Sequence, residues 1–231
     1  MTASGHRKDS RLPARFQVSY RTQGAFLVSY SVNLSKGGIF IESDTPLPIG
    51  TDVSLTLDVP ETGPIELMGQ VAWVRIASAD GMPDGMGVQL RELDERYGDA
   101  IDHMVQSFVG ITVLVLAGTP ERLAMLSRYV RSIIACEVLE ATSMSEAEDA
   151  LASHPDLVVL DIERSTELSV RTVSQVKQHG GVPVILLAAD LRARELGKLE
   201  GADELLETPP SFFALQGAVI RTLSRPVRVA Q

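Results

Sequence analysis

Residues 112–118 read TVLVLAG. Nothing in this run alternates, as in a strand buried on both faces by covering helices. DLVVLDIE at 156–163 and VPVILLAA at 182–189 repeat the pattern. Helical periodicity fills the intervals at 120–133, 143–154, 166–178, 190–201 and 211–223, with Pro120 where a first helical turn tolerates it. EVLEAT at 137–142 and ADELLETP at 202–209 supply the remaining strands. Five βα units in succession, joined by right-handed crossovers, predict a doubly wound, flavodoxin-like α/β domain with a five-stranded parallel sheet over 110–226.

Toward the N-terminus the period shortens to two. RFQVSYRT at 15–22 places Phe16, Val18 and Tyr20 on one face, as in a half-buried strand. Further strands are expected at 26–35, 38–42, 53–59, 65–76 and 85–90, separated by the turn-forming stretches SKGG, PLPIGTD, PETGP and ASADGMPDG. Six short strands at this spacing predict a small all-β antiparallel barrel or sandwich, and the six-stranded barrel is what the family resemblance given below implies. A helix at 94–108 closes it, with Asp94 as its cap and Ile101, Met104, Val105 and Phe108 on its buried face. The chain thus divides into an arm at 1–14, a β-barrel domain at 15–109, an α/β domain at 110–226 and a tail at 227–231.

Length and composition agree with two small domains. Of 231 residues, 45% are apolar and 22% charged, which excludes a wholly disordered chain. No apolar run reaches the roughly 18 residues of a membrane span. The leading MTASGHRKDSR lacks the apolar core of a signal peptide, so a cytoplasmic location without membrane insertion is expected. Cys136 is the only cysteine, which excludes an internal disulfide and a multi-cysteine zinc site. A net charge of −9 argues against DNA or RNA as a general partner. Residues 1–21 depart from that average: Arg7, Lys8, Arg11, Arg15 and Arg21 face Asp9 alone, a local balance of +4.

Two motifs stand in the first domain. Arg7 and Arg11 form an RxxxR pair in the basic arm, and Asn33, Ser35 and Gly38 form NxSxxG where the second and third expected strands meet. Gly85-Met86-Gly87-Val88 lies further on. In this order the three motifs resemble the PilZ domain, a bacterial receptor family for cyclic di-GMP, over about residues 7–108. Arg11 and Arg15 also fit RxxxR, but Arg15 already opens the first strand, so the earlier pair is preferred. Two positions depart from the commoner pattern: His6 precedes Arg7 where many binders double the arginine, and Asn33 stands where aspartate is frequent. The resemblance implies that Arg7 and Arg11 hold phosphate and guanine while Asn33 and Ser35 hold guanine edges. The chemistry suits these residues. Guanidinium grips phosphate bidentately and donates to guanine O6 and N7. Asparagine offers both a donor and an acceptor, and a glycine at position 38 lets a base approach the backbone.

The second half resembles a response-regulator receiver domain over about 111–225. Asp161 ends the third strand of that half, where the family carries its phosphate-accepting aspartate. The family's other site residues are replaced: Ala117-Gly118 stand for its metal-binding acidic pair, Ala188 for its hydroxyl residue, Thr208 for its lysine and Leu205 for its switch aromatic. Phosphoryl transfer needs a cation and donors around the phosphate. A pseudo-receiver is therefore expected, with Asp161 disfavoured as a phosphoacceptor. The scattered histidines His6, His103, His154 and His179 have no metal-ligand spacing, and no nucleophile elbow is present. Cys136, Met68, Met82, Met86 and Trp73 are expected to pack in cores.

These readings converge on a non-enzymatic bacterial signalling adaptor. It binds cyclic di-GMP through the first domain, carries no metal or cofactor, and relays the signal through protein contacts of the second. Motility and surface behaviour are the outputs usual in the family. The partner protein is unidentified, and the apolar residues 211–223 permit a homodimer. The alternative is a PilZ-like interaction or scaffold protein that does not bind cyclic di-GMP.

Overall fold

The computed structural model describes residues 13–32, 37–76, 84–91, 95–162, 167–226 and 228–230. In chain order the elements are β1 (Ala14–Ser19), α1 (Gln23–Val32), β2 (Gly38–Glu42), β3 (Asp52–Asp58), β4 (Ile65–Arg75), β5 (Gly85–Leu90) and α2 (Glu95–Ser107). Then follow β6 (Ile111–Ala117), α3 (Pro120–Ile133), β7 (Cys136–Ala141), α4 (Met144–Leu151), β8 (Leu157–Ile162), α5 (Glu167–Gln178) and β9 (Val184–Ala188). The last are α6 (Leu191–Leu199), β10 (Glu204–Glu207), α7 (Phe212–Ser224) and β11 (Arg228–Ala230). The chain forms two compact units: 1–20, 33–102 and 226–231 make the first, 21–32 and 103–225 the second.

The first unit is built on a six-stranded sheet in the order β11-β1-β3-β4-β5-β2. Alternation places Phe16, Val18, Val53, Leu55, Leu57, Leu67, Ile39 and Ile41 on its buried side. Three features differ from the sequence expectation. Residues 26–35 supply no strand among those described; Gln23–Val32 is helical. The sixth strand is instead β11, from the expected tail, which pairs antiparallel with β1 through Gln17 to Ala230 and Ser19 to Arg228. β1 and β3 run parallel, in register from Ala14 with Val53 to Ser19 with Asp58, and Tyr20 N–H extends the ladder to Asp58 O at 2.9 Å. A parallel pair needs a long crossover, which the chain from 20 to 51 provides.

The reason for the helix is local. Thr22 caps it: its hydroxyl accepts from Ala25 N at 3.0 Å, and its carbonyl accepts from Phe26 N at 3.2 Å. Ala25, Phe26, Val28 and Ser29 are buried, a spacing of three and four that a helix turns to one side. Phe26, Val28 and Tyr30 also alternate, which is why the same letters suit a strand.

The second unit follows the expectation. Its five strands lie in the parallel order β10-β9-β8-β6-β7. One face carries a core of Val113, Val115, Val159 and Ile185 under α3 and α7, and Val28 of α1 joins it. The other face buries Leu114, Val158, Val184 and Leu186 under α4, α5 and α6. Helix α1 packs on α7. In α2, Ile101 and Met104 are buried as expected, but Val105 is 58% exposed. Its expected cap, Asp94, lies outside the described residues. Among the described residues no helix is long and apolar enough to cross a membrane.

Asp156 ties α1 to this unit. Its carboxylate accepts from the Thr22 hydroxyl at 2.5 Å and from Thr112 N at 2.9 Å. Arg21 donates to Pro155 O at 2.8 Å. Burial pulls the Arg21 guanidinium below its ordinary value, and the Asp156 charge opposes the shift. Gly24 allows close approach, since a Cβ there would lie 3.2 Å from both Ile111 and Phe108. Asp156→Ala removes two hydrogen bonds to a charged acceptor and is expected to cost about 3 kcal/mol. Urea unfolding gives that number, and hydrogen exchange is expected to show α1 amides losing protection before the sheet; unchanged protection in α1 would refute the anchoring role.

Candidate functional site

Two places bring the singled-out residues into view. The first is the solvent side of β2, β5 and β4. Register sets Gly38 opposite Gln89, Phe40 opposite Gly87 and Glu42 opposite Gly85. On the other side of β5, Gln70 faces Gln89, Trp73 faces Gly87 and Arg75 faces Gly85. Phe40 and Trp73 therefore meet across β5, stacked at 5.3 Å between ring centroids with planes 13° apart. The Arg75 guanidinium lies 4.9 Å from the Phe40 centroid and 5.3 Å from that of Trp73.

The glycines of the Gly85-Met86-Gly87 motif make this stack. A Cβ on Gly87 would stand 2.1 Å from the Trp73 indole, and one on Gly85 2.7 Å from Phe40 Cζ. Without side chains they let both rings lie flat against β5. Met86, between them, is fully buried.

Trp73 corrects an expectation. It is 43% exposed instead of packed in the core. Ile65, Leu67, Gly69 and Val71 point inward, and strict alternation would send residue 73 the same way. The register shifts between Val71 and Trp73, and that bulge turns Ala72 and Trp73 both outward. Met68 is likewise 44% exposed, against the expectation of a core role. Met82 lies outside the described residues.

Gly38 opens β2 two residues before Phe40, on the same side of the sheet. A Cβ at Gly38 would sit 3.2 Å from Val88 O, so this position is tight as well as bare. Gly37 takes φ +78°, and its carbonyl accepts from Leu90 N at 2.7 Å and from the Gln89 side chain at 2.8 Å. Arg7, Arg11, Asn33 and Ser35 lie outside the described residues. Arg15, the alternative arm residue, is exposed within β1.

The second place is the C-terminal edge of the parallel sheet. Asp161, the last residue but one of β8, is in register with Ala117 of β6, and its side chain is fully buried. Arg122 in the first turn of α3 pairs with it: Nε donates to Oδ2, and Nη2 donates to Oδ1 at 3.0 Å. Thr208, just after β10, donates its hydroxyl to Asp161 Oδ1 at 2.8 Å and accepts from Arg122 Nη2. Arg122 escaped the sequence reading, which tested only the positions where a receiver keeps its own site residues. Ala117 and Ala188 are buried here and bring no oxygen ligand. Magnesium favours carboxylate and other oxygen ligands. The described residues offer one carboxylate already bonded to a guanidinium, so they do not fit a receiver's metal. Cys136 opens β7 half-buried against the α3–α7 core, and burial pushes its thiol up.

The PilZ domain family matches residues 6–107. The solved structures that match include response-regulator receiver domains, which cover the C-terminal half. They include a response-regulator receiver domain protein from Clostridium thermocellum, at 23% identity and TM-score 0.44, covering 49% of this chain and 94% of that one. Chemotaxis protein CheY4 of Vibrio cholerae matches at 21% identity and TM-score 0.44, covering 49% and 99%. The receiver domain of a DNA-binding response regulator from Colwellia psychrerythraea matches at 17% identity and TM-score 0.43, covering 50% and 99%. No curated protein matches the chain.

Trp73 is the only tryptophan, so its fluorescence reports the stack alone. Gly87→Ala is expected to lift the indole off β5, shifting emission to the red and raising acrylamide quenching while the far-ultraviolet dichroism holds. An unshifted emission spectrum would refute the contact.

Proposed function

We propose that this chain, with a PilZ domain at residues 6–107 ahead of a receiver-like α/β unit, is a signalling adaptor that binds cyclic di-GMP on the solvent side of β2, β5 and β4. The observation that carries this reading is the Phe40–Trp73–Arg75 platform, with Gly38 two residues before Phe40 on the same strand.

A guanine needs a flat apolar surface and donors at O6 and N7. Stacking on an aromatic ring is worth about 1–3 kcal/mol per base. Arg75, already over the rings, can turn its donors toward a base edge or a phosphate. Gly38 brings side-chain-free backbone beside the platform. Arg7 and Arg11 supply the charge for the two phosphates, and Asn33 and Ser35 the polar contacts to guanine. A neutral Asn33 makes a weaker bond to guanine N–H groups than a carboxylate would, which shifts more of the binding onto stacking and the arm.

The relay follows from chain connectivity. Helix α1 belongs to the second unit, yet only three residues separate it from the end of β1, and Asn33 follows its last residue. A ligand that holds both the arm ahead of β1 and Asn33 with Ser35 holds the chain at both ends of α1. Such a shift requires that the ligand prefer one of two arrangements of the helix. Leu191 and Leu199 of α6 and Phe213 of α7 are 64%, 83% and 80% exposed, and they supply apolar contacts for a protein partner or a second copy.

Calorimetric titration of cyclic di-GMP into the full chain tests the reading, with saturable binding in the micromolar range expected. Arg11→Ala is expected to abolish most of the heat, and Trp73→Ala to weaken binding about tenfold or more by loss of one stacked base. No heat from the intact chain at tens of micromolar overturns the proposal in favour of a scaffold without the ligand.

A further inference from the structure

We propose that Arg122 is the built-in cation of the second unit: its guanidinium neutralises Asp161 where receivers hold a divalent metal, and so fixes the C-terminal ends of the sheet without metal or phosphate.

A carboxylate with no exposed surface remains ionised only beside a counter-charge. Arg122 meets that need with two nitrogens on two carboxylate oxygens, the fork geometry that a lysine or a single metal bond does not reproduce. Three elements converge in this cluster. Arg122 comes from α3, Asp161 from the end of β8 and Thr208 from the turn after β10. The Thr208 hydroxyl bridges the pair, donating to the carboxylate and accepting from the guanidinium.

The sequence places Arg122 for this role. β6 ends at Ala117, the register partner of Asp161 on the adjacent strand. Helix α3 starts three residues later, behind a Thr119 cap whose hydroxyl accepts from Arg122 N at 3.4 Å. The third residue of that helix is thus held by its backbone at the end of β8. Glu121, its neighbour, is exposed. A guanidinium is tethered to the chain and, unlike a bound metal, does not dissociate, so the cluster has no unloaded state. A metal-dependent receiver changes state when its cation and phosphoryl group arrive. Here the cation position is answered from within the chain by Arg122.

The test uses the full chain. Water-proton relaxation with manganese measures cation binding, and thermal unfolding with and without millimolar magnesium measures linkage. The wild type is expected to show no Asp161-dependent manganese site and no shift of Tm with magnesium. Arg122→Ala leaves a buried charge unpaired and is expected to lower Tm by roughly 10 °C. Arg122→Ala with Asp161→Asn is expected to recover more than half of that loss, because the stranded charge is gone; a merely structural arginine would show no such rescue. Arg122→Lys keeps the charge without the fork and is expected to fall between wild type and Arg122→Ala, which also covers an alanine variant that fails to fold. Wild-type manganese binding that Asp161→Asn abolishes overturns the proposal. So does a double variant no more stable than Arg122→Ala, or a lysine variant as unstable as the alanine one.

Discussion

The Asp156 carboxylate decides where residues 21–32 go, and much else follows from that. It holds the Thr22 hydroxyl that caps α1 and the Thr112 amide that starts β6. A helix capped there packs on α7 and adds Val28 to the core of the parallel sheet. The N-terminal sheet then lacks the strand that the alternation of 26–35 would have supplied. β1 finds its neighbours elsewhere, in a parallel ladder with β3 and a short antiparallel one with β11. One acidic residue in a loop of the second unit thereby shapes the strand content of the first.

The parallel sheet was legible because its signal is redundant. Strands buried on both faces are apolar throughout, and no helix of ordinary composition imitates that beside a regular series of capped helices. Residues 26–35 carried no such redundancy. Phe26 and Val28 satisfy a period of two, while Ala25, Phe26, Val28 and Ser29 satisfy one of 3.6, and only the cap at Thr22 separates the readings. Trp73 was misread for a different reason. The inward alternation of β4 holds to Val71, and a single extra residue reverses it. Bulges depend on partner strands and leave little mark on one strand's own pattern.

The candidate sites were legible to different depths. The glycine motif at 85–87 could be seen in the sequence, but its purpose could not. The reason becomes visible only when register brings Phe40 and Trp73 across it from two strands. In the second unit the losses at Ala117 and Ala188 were readable, and what replaces the lost cation was not. Arg122 is distant from Asp161 in sequence, and nothing about an arginine in the first turn of a helix marks it out. A favourable helix charge in that turn would be acidic. The position runs against that preference, and the Asp161 pair supplies a physical reason for it.

These two places differ in what they leave open to another molecule. The face of β2, β5 and β4 presents aromatic rings, an arginine and bare backbone at Gly38. At the end of β8, charge is matched by charge inside the fold, and a matched buried pair has little field left to draw in a phosphate or a metal. On the adaptor reading proposed above, signals to the second unit therefore have no chemical entrance at Asp161. What remains is mechanical: α1 is packed in that unit, and the chain at both of its ends leads directly to the segments that carry Arg7, Arg11, Asn33 and Ser35.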